Sequence, residues 1–145
     1  MKTVADILKT KGSEVWTISP ETIVFDALKT MADKNVGALV VLDATKVIGI
    51  VSERDYARKV ILHGRSSREL KAREIMSSKV YFVSPEHNIE DCMALFTNKR
   101  VRHLPVLQND EELIGIISIG DVVKAVIAEQ ESTIKHLENY ITGGR

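Results

Sequence analysis

Apolar residues follow two different spacings along this chain, one typical of strands and one typical of helices. Four short apolar runs form two pairs: 38–42 with 47–51, and 104–107 with 113–117. A polar segment of four or five residues separates the members of each pair, which predicts two β-hairpins. Two other segments instead repeat apolar residues at helical spacing. These residues are Ile23, Ala27, Leu28 and Met31, at i, i+4, i+5 and i+8, and Ile89, Cys92, Met93 and Phe96, at i, i+3, i+4 and i+7. This spacing predicts a helix with one buried face in each segment.

The elements occur twice because the sequence contains an internal repeat. The tripeptide Ser-Pro-Glu at 19–21 recurs at 84–86, a shift of 65 positions that becomes 66 further along. Residues 19–42 and 48–61 match their second copies at 16 of 38 positions. Unrelated segments of this composition would match at roughly two or three. Chance therefore does not explain the similarity.

Each copy predicts a strand, a helix, a hairpin and a second helix. Ser19 and Ser84 are predicted N-caps, because serine caps helices well and the proline that follows suits the first helical position. Opening strands are expected at 14–18 and 79–83, and second helices after residues 52 and 118.

The two copies predict one integrated α/β (α+β) module. A single copy of about 60 residues would bury a marginal core, so we expect a pseudo-twofold pair with a shared core. The predicted division is 1–66 for the first repeat with its N-terminal leader, 67–128 for the second repeat, and 129–145 for a C-terminal helical extension.

Composition narrows the class of protein. The 145 residues are 44% hydrophobic and 28% charged, as in an ordinary globular domain. Twenty basic and twenty acidic residues give a net charge of zero, which argues against a nucleic-acid coat protein.

The sequence also predicts neither a membrane span nor an export signal. No apolar stretch approaches the roughly 18 residues of a membrane span, and the charged first ten residues do not resemble a secretory signal. The single cysteine, Cys92, is expected in the core of a cytoplasmic protein.

The sharpest chemical signal is a motif that ends both hairpins. It reads G-h-h-S-x-x-D, with h apolar, at 49–55 and 115–121. A serine with an acid three residues later is close to a capping box, although that motif prefers the longer Glu or Gln. The alternative is a nucleoside site, because N–H groups at a strand-to-helix junction attract phosphate and a short carboxylate accepts two ribose hydroxyls.

The duplicated pattern resembles a tandem pair of CBS domains, the Bateman module, over residues 4–128. The apolar pairs at 7–8 and 75–76 match the short leader of such repeats. The resemblance implies β-α-β-β-α repeats packed sheet to sheet, with clefts that bind AMP, ADP, ATP, NAD or S-adenosylmethionine. It also implies a homodimer, which the C-terminal helix would reinforce. The ribose would be held by two pairs of side chains: Ser52 with Asp55, and Ser118 with Asp121.

The copies differ in the basic residues that would meet a phosphate. The second copy has Arg100, Arg102 and His103 where the first has neutral residues. A guanidinium grips phosphate through two charge-assisted hydrogen bonds, whereas the alternative for the arginines is an exposed helix end. The resemblance adds these residues to the ligand-binding set: Ala38, Arg54, Arg58, Arg100, Arg102, His103 and Leu104. We therefore expect two inequivalent sites.

Nothing in the sequence indicates an independent active site. It contains neither a P-loop nor a dinucleotide fingerprint, and its four histidines lack the spacing of a metal site. We expect a non-catalytic signal-transduction module that senses an adenine nucleotide and acts on an unknown protein target. The alternatives are a ligand-free interaction or dimerisation scaffold and, last, nucleic-acid binding through the basic run 54–73, which is otherwise typical of a solvated connector.

Overall fold

A computed structural model of the chain describes residues 2–142. Its elements are α1 (Val4–Lys11), β1 (Thr17–Ile18), α2 (Val24–Lys34), β2 (Ala38–Asp43), β3 (Lys46–Ser52), α3 (Glu53–Lys59), a 3₁₀ turn (Ile61–His63), α4 (Ala72–Ile75), α5 (Ile89–Lys99), β4 (His103–Gln108), β5 (Glu112–Ser118) and α6 (Ile119–Ile141). This mixed α+β architecture confirms the predicted fold class. The chain forms two compact units: the first-repeat unit, Glu14–Tyr81, and the second-repeat unit, Met1–Ser13 with Phe82–Arg145.

Both predicted hairpins are present. β2 pairs antiparallel with β3, and β4 pairs antiparallel with β5. Each hairpin has one register irregularity, directly after Val41 in the first and directly after Val106 in the second. Gly49 and Gly115 lie opposite these two valines. The two hairpins therefore share the same pairing register as well as a similar sequence.

The opening strands are shorter than predicted. In the first-repeat unit the two-residue β1 pairs in parallel with β2, and Val40 N donates to Trp16 O at 3.2 Å. In the second-repeat unit one isolated bridge, Val83 to Val106, represents the expected strand. The second copy has Pro105 where the first has Val40, and proline has no N–H to donate. Parallel pairing therefore stops after one bridge.

The prediction that Ser19 and Ser84 cap helices is wrong. α2 and α5 each begin five residues beyond their serine. The intervening residues form turns, in which Thr22 N donates to Ser19 O at 3.0 Å and His87 N donates to Ser84 O at 3.2 Å. Ser-Pro initiates a turn as readily as a helix, and here it makes the turn.

These turns bind the first N–H groups of α1 and α4, which we call the leader helices. Four equivalent hydrogen bonds of 2.7–3.0 Å connect them: Val4 N to His87 O, Ala5 N to Pro85 O, Ala72 N to Thr22 O, and Arg73 N to Pro20 O. The first N–H groups of a helix have no partner within the helix, so the turns satisfy them.

The leader helices are exchanged between the repeats. α1 precedes the first repeat in sequence but lies in the second-repeat unit, and α4 precedes the second repeat but lies in the first-repeat unit. Each leader covers a motif glycine. A Cβ on Gly49 would lie 2.6 Å from Met76 Sδ, and a Cβ on Gly115 would lie 2.8 Å from Leu8 Cδ2. The predicted division of the chain at residues 66 and 128 did not include this exchange.

The predicted helix faces supply the cores. The first-repeat unit has one buried cluster: Val24, Ala27, Met31, Leu39, Val41, Val51, Val60, Leu70, Ala72 and Ile75. In α5, Ile89, Cys92 and Phe96 are buried, which confirms the core position of the cysteine. Met93, predicted on the same face, is instead 44% exposed.

α6 is one continuous helix from Ile119 to Ile141. The extension predicted from residue 129 is therefore the second half of the helix that follows the second motif. Residues 130–142 of this segment are exposed. Gly143, Gly144 and Arg145, which we assigned to the extension, lie outside the described residues.

Candidate functional site

Each G-h-h-S-x-x-D motif places its serine at the end of a strand and its aspartate in the first turn of a helix. Ser52 ends β3, and its N–H donates to Asp55 Oδ2 at 2.9 Å. Asp55 N donates in return to Ser52 Oγ at 3.2 Å. In the second motif the equivalent distances between Ser118 and Asp121 are 2.8 and 3.2 Å. Both motifs therefore form complete capping boxes.

Aspartate also completes capping boxes outside the motifs. Thr3 pairs with Asp6 at the start of α1, and Asn88 pairs with Asp91 at the start of α5. The general preference of the capping box for the longer Glu or Gln therefore does not count against aspartate in this chain. A carboxylate one methylene shorter than glutamate still reaches the N-cap amide, at 2.9 Å in Asp6 and 3.2 Å in Asp91. Capping alone thus does not distinguish the motif aspartates.

What distinguishes the two motif aspartates from Asp6 and Asp91 is an ion pair with a lysine. Lys59 Nζ lies 3.1 Å from Asp55 Oδ1 and donates to Ile75 O at 2.8 Å. Lys11 Nζ lies 2.7 Å from Asp121 Oδ2 and donates to a β5 carbonyl, Ile116 O, at 2.8 Å. Lys59 follows the motif and reaches a leader helix, whereas Lys11 belongs to a leader helix and reaches the motif. In both units a lysine ties a leader helix to the motif.

The environment of Asp121 favours its charged form. Burial by itself would raise the pKa of this carboxyl group. The hydrogen bonds from Lys11 and Ser118, together with the Lys11 charge, outweigh burial and hold the pKa of Asp121 below its ordinary value. Asp121 is therefore ionised at neutral pH.

A groove of about 420 Å³ between α1 and α6 opens beside Asp121. Besides Lys11 and Asp121, its wall includes Lys2, Asp6 and Lys124. Three ammonium groups against two carboxylates give this groove a positive balance. Its charge suits an anionic ligand better than a cation.

The partner strands bring further predicted residues to each motif. Ala38 is paired with Ser52 across the first hairpin, and His103 is paired with Ser118 across the second. Arg102 O, just before β4, accepts from Ile119 N at 3.0 Å. The structure therefore brings Arg102, His103 and Ser118 together at the start of α6. The Arg102 side chain is exposed and available to solvent.

The other predicted residues have different surroundings. Arg54 and Arg58 are exposed on α3. Leu104 is fully buried and Ala38 is 6% exposed, so their side chains belong to the hairpin cores. Arg100 ends α5 in the left-handed conformation, with φ 53°, where the first repeat has Asn35 at φ 54°.

Much of the basic run 54–73 is engaged in surface contacts. The contacts are Arg65 with Glu74 at 3.8 Å, Lys71 with Glu21 at 2.9 Å, Arg73 with Glu21, and Arg68 over the Phe25 ring at 4.0 Å. These contacts agree with a solvated connector and leave less free positive charge for nucleic acid.

The two lysines on the motif aspartates were missed from the sequence. Lys59 follows Asp55 by four residues in a helix, a spacing that brings opposite charges together and was a usable signal. Lys11 and Asp121 are 110 positions apart, and no local pattern predicts their pairing.

Two structural absences apply to the described part of the chain. Within residues 2–142, no helix has the length and apolar character needed to cross a bilayer. Over the same range, no three His, Cys, Asp or Glu side chains are grouped as metal ligands.

Comparison with known proteins identifies the family. The CBS domain family matches residues 4–62 and 72–128. CBS domain-containing protein CBSX3, mitochondrial, of Arabidopsis thaliana is 43% identical and covers 98% of this chain and 73% of its own. A putative signal-transduction protein with CBS domains from Burkholderia ambifaria is 52% identical with a TM-score of 0.85, covering 89% of this chain and 96% of its own. CBSX2, solved in complex with AMP, is 26% identical with a TM-score of 0.72, covering 88% and 98%. Two family matches, one to each repeat, show that this chain belongs to the CBS-domain proteins as a tandem pair.

Proposed function

We propose that this chain is a non-catalytic regulatory module that binds an adenosine phosphate through its motif aspartates. The observation that carries the proposal is the Ser–Asp arrangement that both units build at a strand-to-helix junction. A carboxylate can accept about four hydrogen bonds, more than the two donors, Ser118 N and Lys11 Nζ, that contact Asp121 Oδ2. A ribose diol supplies two donors of the kind it accepts. AMP bound to the related CBSX2 supports the same ligand class here.

The second motif is the better phosphate site in this proposal. Arg102 and His103 adjoin Ser118, whereas Gly37 and Ala38 occupy the same positions beside Ser52. An arginine beside a carboxylate lets a nucleotide bind at two points. The guanidinium binds the phosphate and the carboxylate binds the ribose hydroxyls. We therefore expect tighter nucleotide binding at Asp121 than at Asp55.

Binding is expected to change the leader helices. Ribose hydroxyls that bind the remaining acceptor positions of Asp121 draw negative charge away from its contact with the Lys11 ammonium and so weaken that contact. Weakening that contact loosens α1, since Lys11 ties it to β5 and to the motif. A ligand shifts the equilibrium between two conformations only if it binds one of them more tightly than the other. The leader helix is the element through which a partner would sense the nucleotide.

Titration calorimetry with AMP, ADP, ATP, NAD, NADH and S-adenosylmethionine tests the proposal. Asp121→Ala is the test variant, and Asp91→Ala is the matched control, since Asp91 completes a capping box outside the motifs. We expect at least one nucleotide to bind, Asp121→Ala to weaken binding at least about tenfold, and Asp91→Ala to bind like wild type. No heat from any of the six ligands, or unchanged binding in an Asp55→Ala/Asp121→Ala variant, would refute it.

A ligand-free scaffold is the second candidate function. The capping boxes at Asp6 and Asp91 favour it, because they show the same Ser/Thr/Asn–Asp chemistry in a purely structural role. A scaffold predicts that Asp121→Ala and Asp91→Ala lose comparable stability. It also predicts that no nucleotide raises the melting temperature of the wild type, whereas a ligand that binds the native state must raise it.

Two further expectations stay predictions. The absence of catalysis is tested by incubating the protein with ATP and with NAD and following both by chromatography. The cytoplasmic location is tested by cell fractionation, and mitochondrial targeting, which the name of the Arabidopsis relative gives for that protein, is the outcome that would contradict it.

A further inference from the structure

The groove between α1 and α6 has apolar walls as well as charged ones. α6 lines it with residues at i, i+3, i+4 and i+7, which share one helical face: Asp121, Lys124, Ala125 and Ala128. Two of these four side chains are single methyl groups, and short side chains leave space between α6 and α1. The resulting volume of about 420 Å³ lies within the roughly 300–1,000 Å³ of small-molecule sites.

The facing surface of α1 supplies the deepest apolar residue of the groove. Ile7 lines it and is only 5% exposed, so its side chain forms a floor that the surrounding structure holds in place. Thr10 lines the same side. With the two alanines of α6, the floor gives the groove an apolar middle that water wets poorly.

Most of the charges around the groove are already paired. Lys11 Nζ lies 2.7 Å from Asp121 Oδ2. Asp6 accepts two hydrogen bonds from its N-cap threonine, at 2.9 and 3.1 Å, and has Lys2 as a neighbouring positive charge. Among residues 2–142, Lys124 forms no ion pair. The excess positive charge of the groove therefore corresponds to one ammonium, that of Lys124.

We propose that this groove binds a small amphipathic anion, a molecule with one carboxylate, phosphate or sulfonate group on an apolar body. The anionic group pairs with the Lys124 ammonium through a charge-assisted hydrogen bond. The apolar body covers Ile7, Ala125 and Ala128. A wholly polar anion would leave these apolar walls in contact with water, and an uncharged apolar molecule would leave the ammonium without a counter-charge.

This site goes beyond the proposed nucleotide site and uses different residues. The nucleotide phosphate is assigned to Arg102, which does not line the groove. The groove ligand is assigned to Lys124 and Ala128, which have no part in the nucleotide proposal. Asp121 borders both sites, so variants that test them separately must leave it unchanged.

Fluorescence titration with anilinonaphthalenesulfonate (ANS) tests the groove, because this probe carries one sulfonate on an apolar body. Ala128→Leu fills the groove and should weaken ANS binding at least about tenfold. The matched control is Ala94→Leu, the same change at an exposed alanine of α5, which should bind ANS like wild type. Circular dichroism should show the wild-type fold in both variants, because both alanines are exposed. Equal ANS binding in Ala128→Leu and wild type would overturn the proposal.

Two lysine variants test the charge. Lys124→Gln should weaken ANS binding at least about threefold, whereas Lys135→Gln, at an exposed lysine further along α6, should not change it. The uncharged probe phenylnaphthylamine should bind Lys124→Gln and wild type equally. Equal losses of ANS binding in the two lysine variants would overturn the assignment of the anionic group to Lys124.

A further comparison separates this proposal from the nucleotide proposal. Arg102→Ala should weaken AMP binding and leave ANS binding unchanged, whereas Ala128→Leu should do the reverse. Weaker ANS binding in Arg102→Ala would place the probe in the nucleotide site and overturn the groove. If AMP does not bind wild type but Ala128→Leu still weakens ANS binding, the nucleotide proposal fails and the groove proposal stands.

Discussion

Lys11→Met removes the contact that ties leader helix α1 to the second motif. The Lys11 ammonium makes two short contacts, 2.7 Å to Asp121 Oδ2 and 2.8 Å to Ile116 O. Methionine keeps an unbranched apolar side chain of similar length but loses the charge and both hydrogen bonds. We expect the free energy of unfolding to fall, and the size of the loss follows from the exposure of the pair.

The expected loss lies between the values for exposed and buried pairs. Exposed ion pairs contribute about 0–1 kcal/mol, whereas hydrogen bonds to charged groups contribute about 1.5–3 kcal/mol. The side chains of Lys11 and Asp121 are 30% and 19% exposed, so solvent screens the pair only in part. We therefore expect Lys11→Met to lower the free energy of unfolding by about 1–2 kcal/mol near pH 7.

The loss should depend on pH in a defined direction. The folded pKa of Asp121 lies below its ordinary value of 3.8. A carboxyl group of this kind stabilises the fold above the unfolded pKa, and the contribution disappears as the pH falls through the folded pKa. The difference between wild type and Lys11→Met should therefore be full near neutral pH and should shrink as the pH falls below 3.8 and through the lower folded pKa of Asp121.

Urea denaturation curves between about pH 7 and pH 3 measure this difference. Lys9→Met is the control, because Lys9 is an exposed lysine in the last turn of the same helix. If Lys9→Met lowers the free energy of unfolding by the same amount, then removing any positive charge from α1 has this effect and the contact with Asp121 is not its cause. A loss in Lys11→Met that is the same at both ends of the pH range would refute the role of the Asp121 carboxylate.

Three further predictions concern single sites. Arg100→Gly should raise the free energy of unfolding by about 0.5–1 kcal/mol in urea titrations, because the φ of 53° is strained for arginine and not for glycine; a decrease would mean that the Arg100 side chain makes a stabilising contact. Gly49→Ala should lower it by about 1–2 kcal/mol, since the new Cβ would lie 2.6 Å from Met76 Sδ and 3.1 Å from Ser77 O, and a neutral result would mean that α4 moves aside freely. Cys92 should react with a thiol reagent only after denaturant is added, because the residue is fully buried and burial raises the pKa of its thiol to about 11; fast labelling of the native protein would contradict this core position.

The parts of the fold with local determinants were predictable. Both hairpins and the motif helices followed from apolar spacing and polar turns, which depend on neighbouring residues. The short parallel pairing in the second repeat also had a signal, Pro105 in place of Val40, that the prediction overlooked. Ser-Pro-Glu was misread because serine and proline favour turns and helix starts alike.

The parts set by distant residues were not predictable. The leader helices contact turns and strands of the other repeat, and the Lys11 contact with Asp121 spans 110 positions. Sequence chemistry identified Ser52, Asp55, Ser118 and Asp121 as the motif side chains. It contained a local signal for the lysine on Asp55, four residues later in the helix, but none for the lysine on Asp121.

The exchange of leader helices has a consequence for the order of folding during synthesis. The first-repeat unit is a continuous segment, Glu14–Tyr81, so all of its elements are available once that segment has left the ribosome. The helix α1 emerges before it but packs on β5, more than 100 residues later. Domains fold as their segments become available, and contacts of large sequence separation form slowly. Helix α1, although it is made before the first-repeat unit, is therefore expected to dock late, and until then the surface around Gly115 stays uncovered.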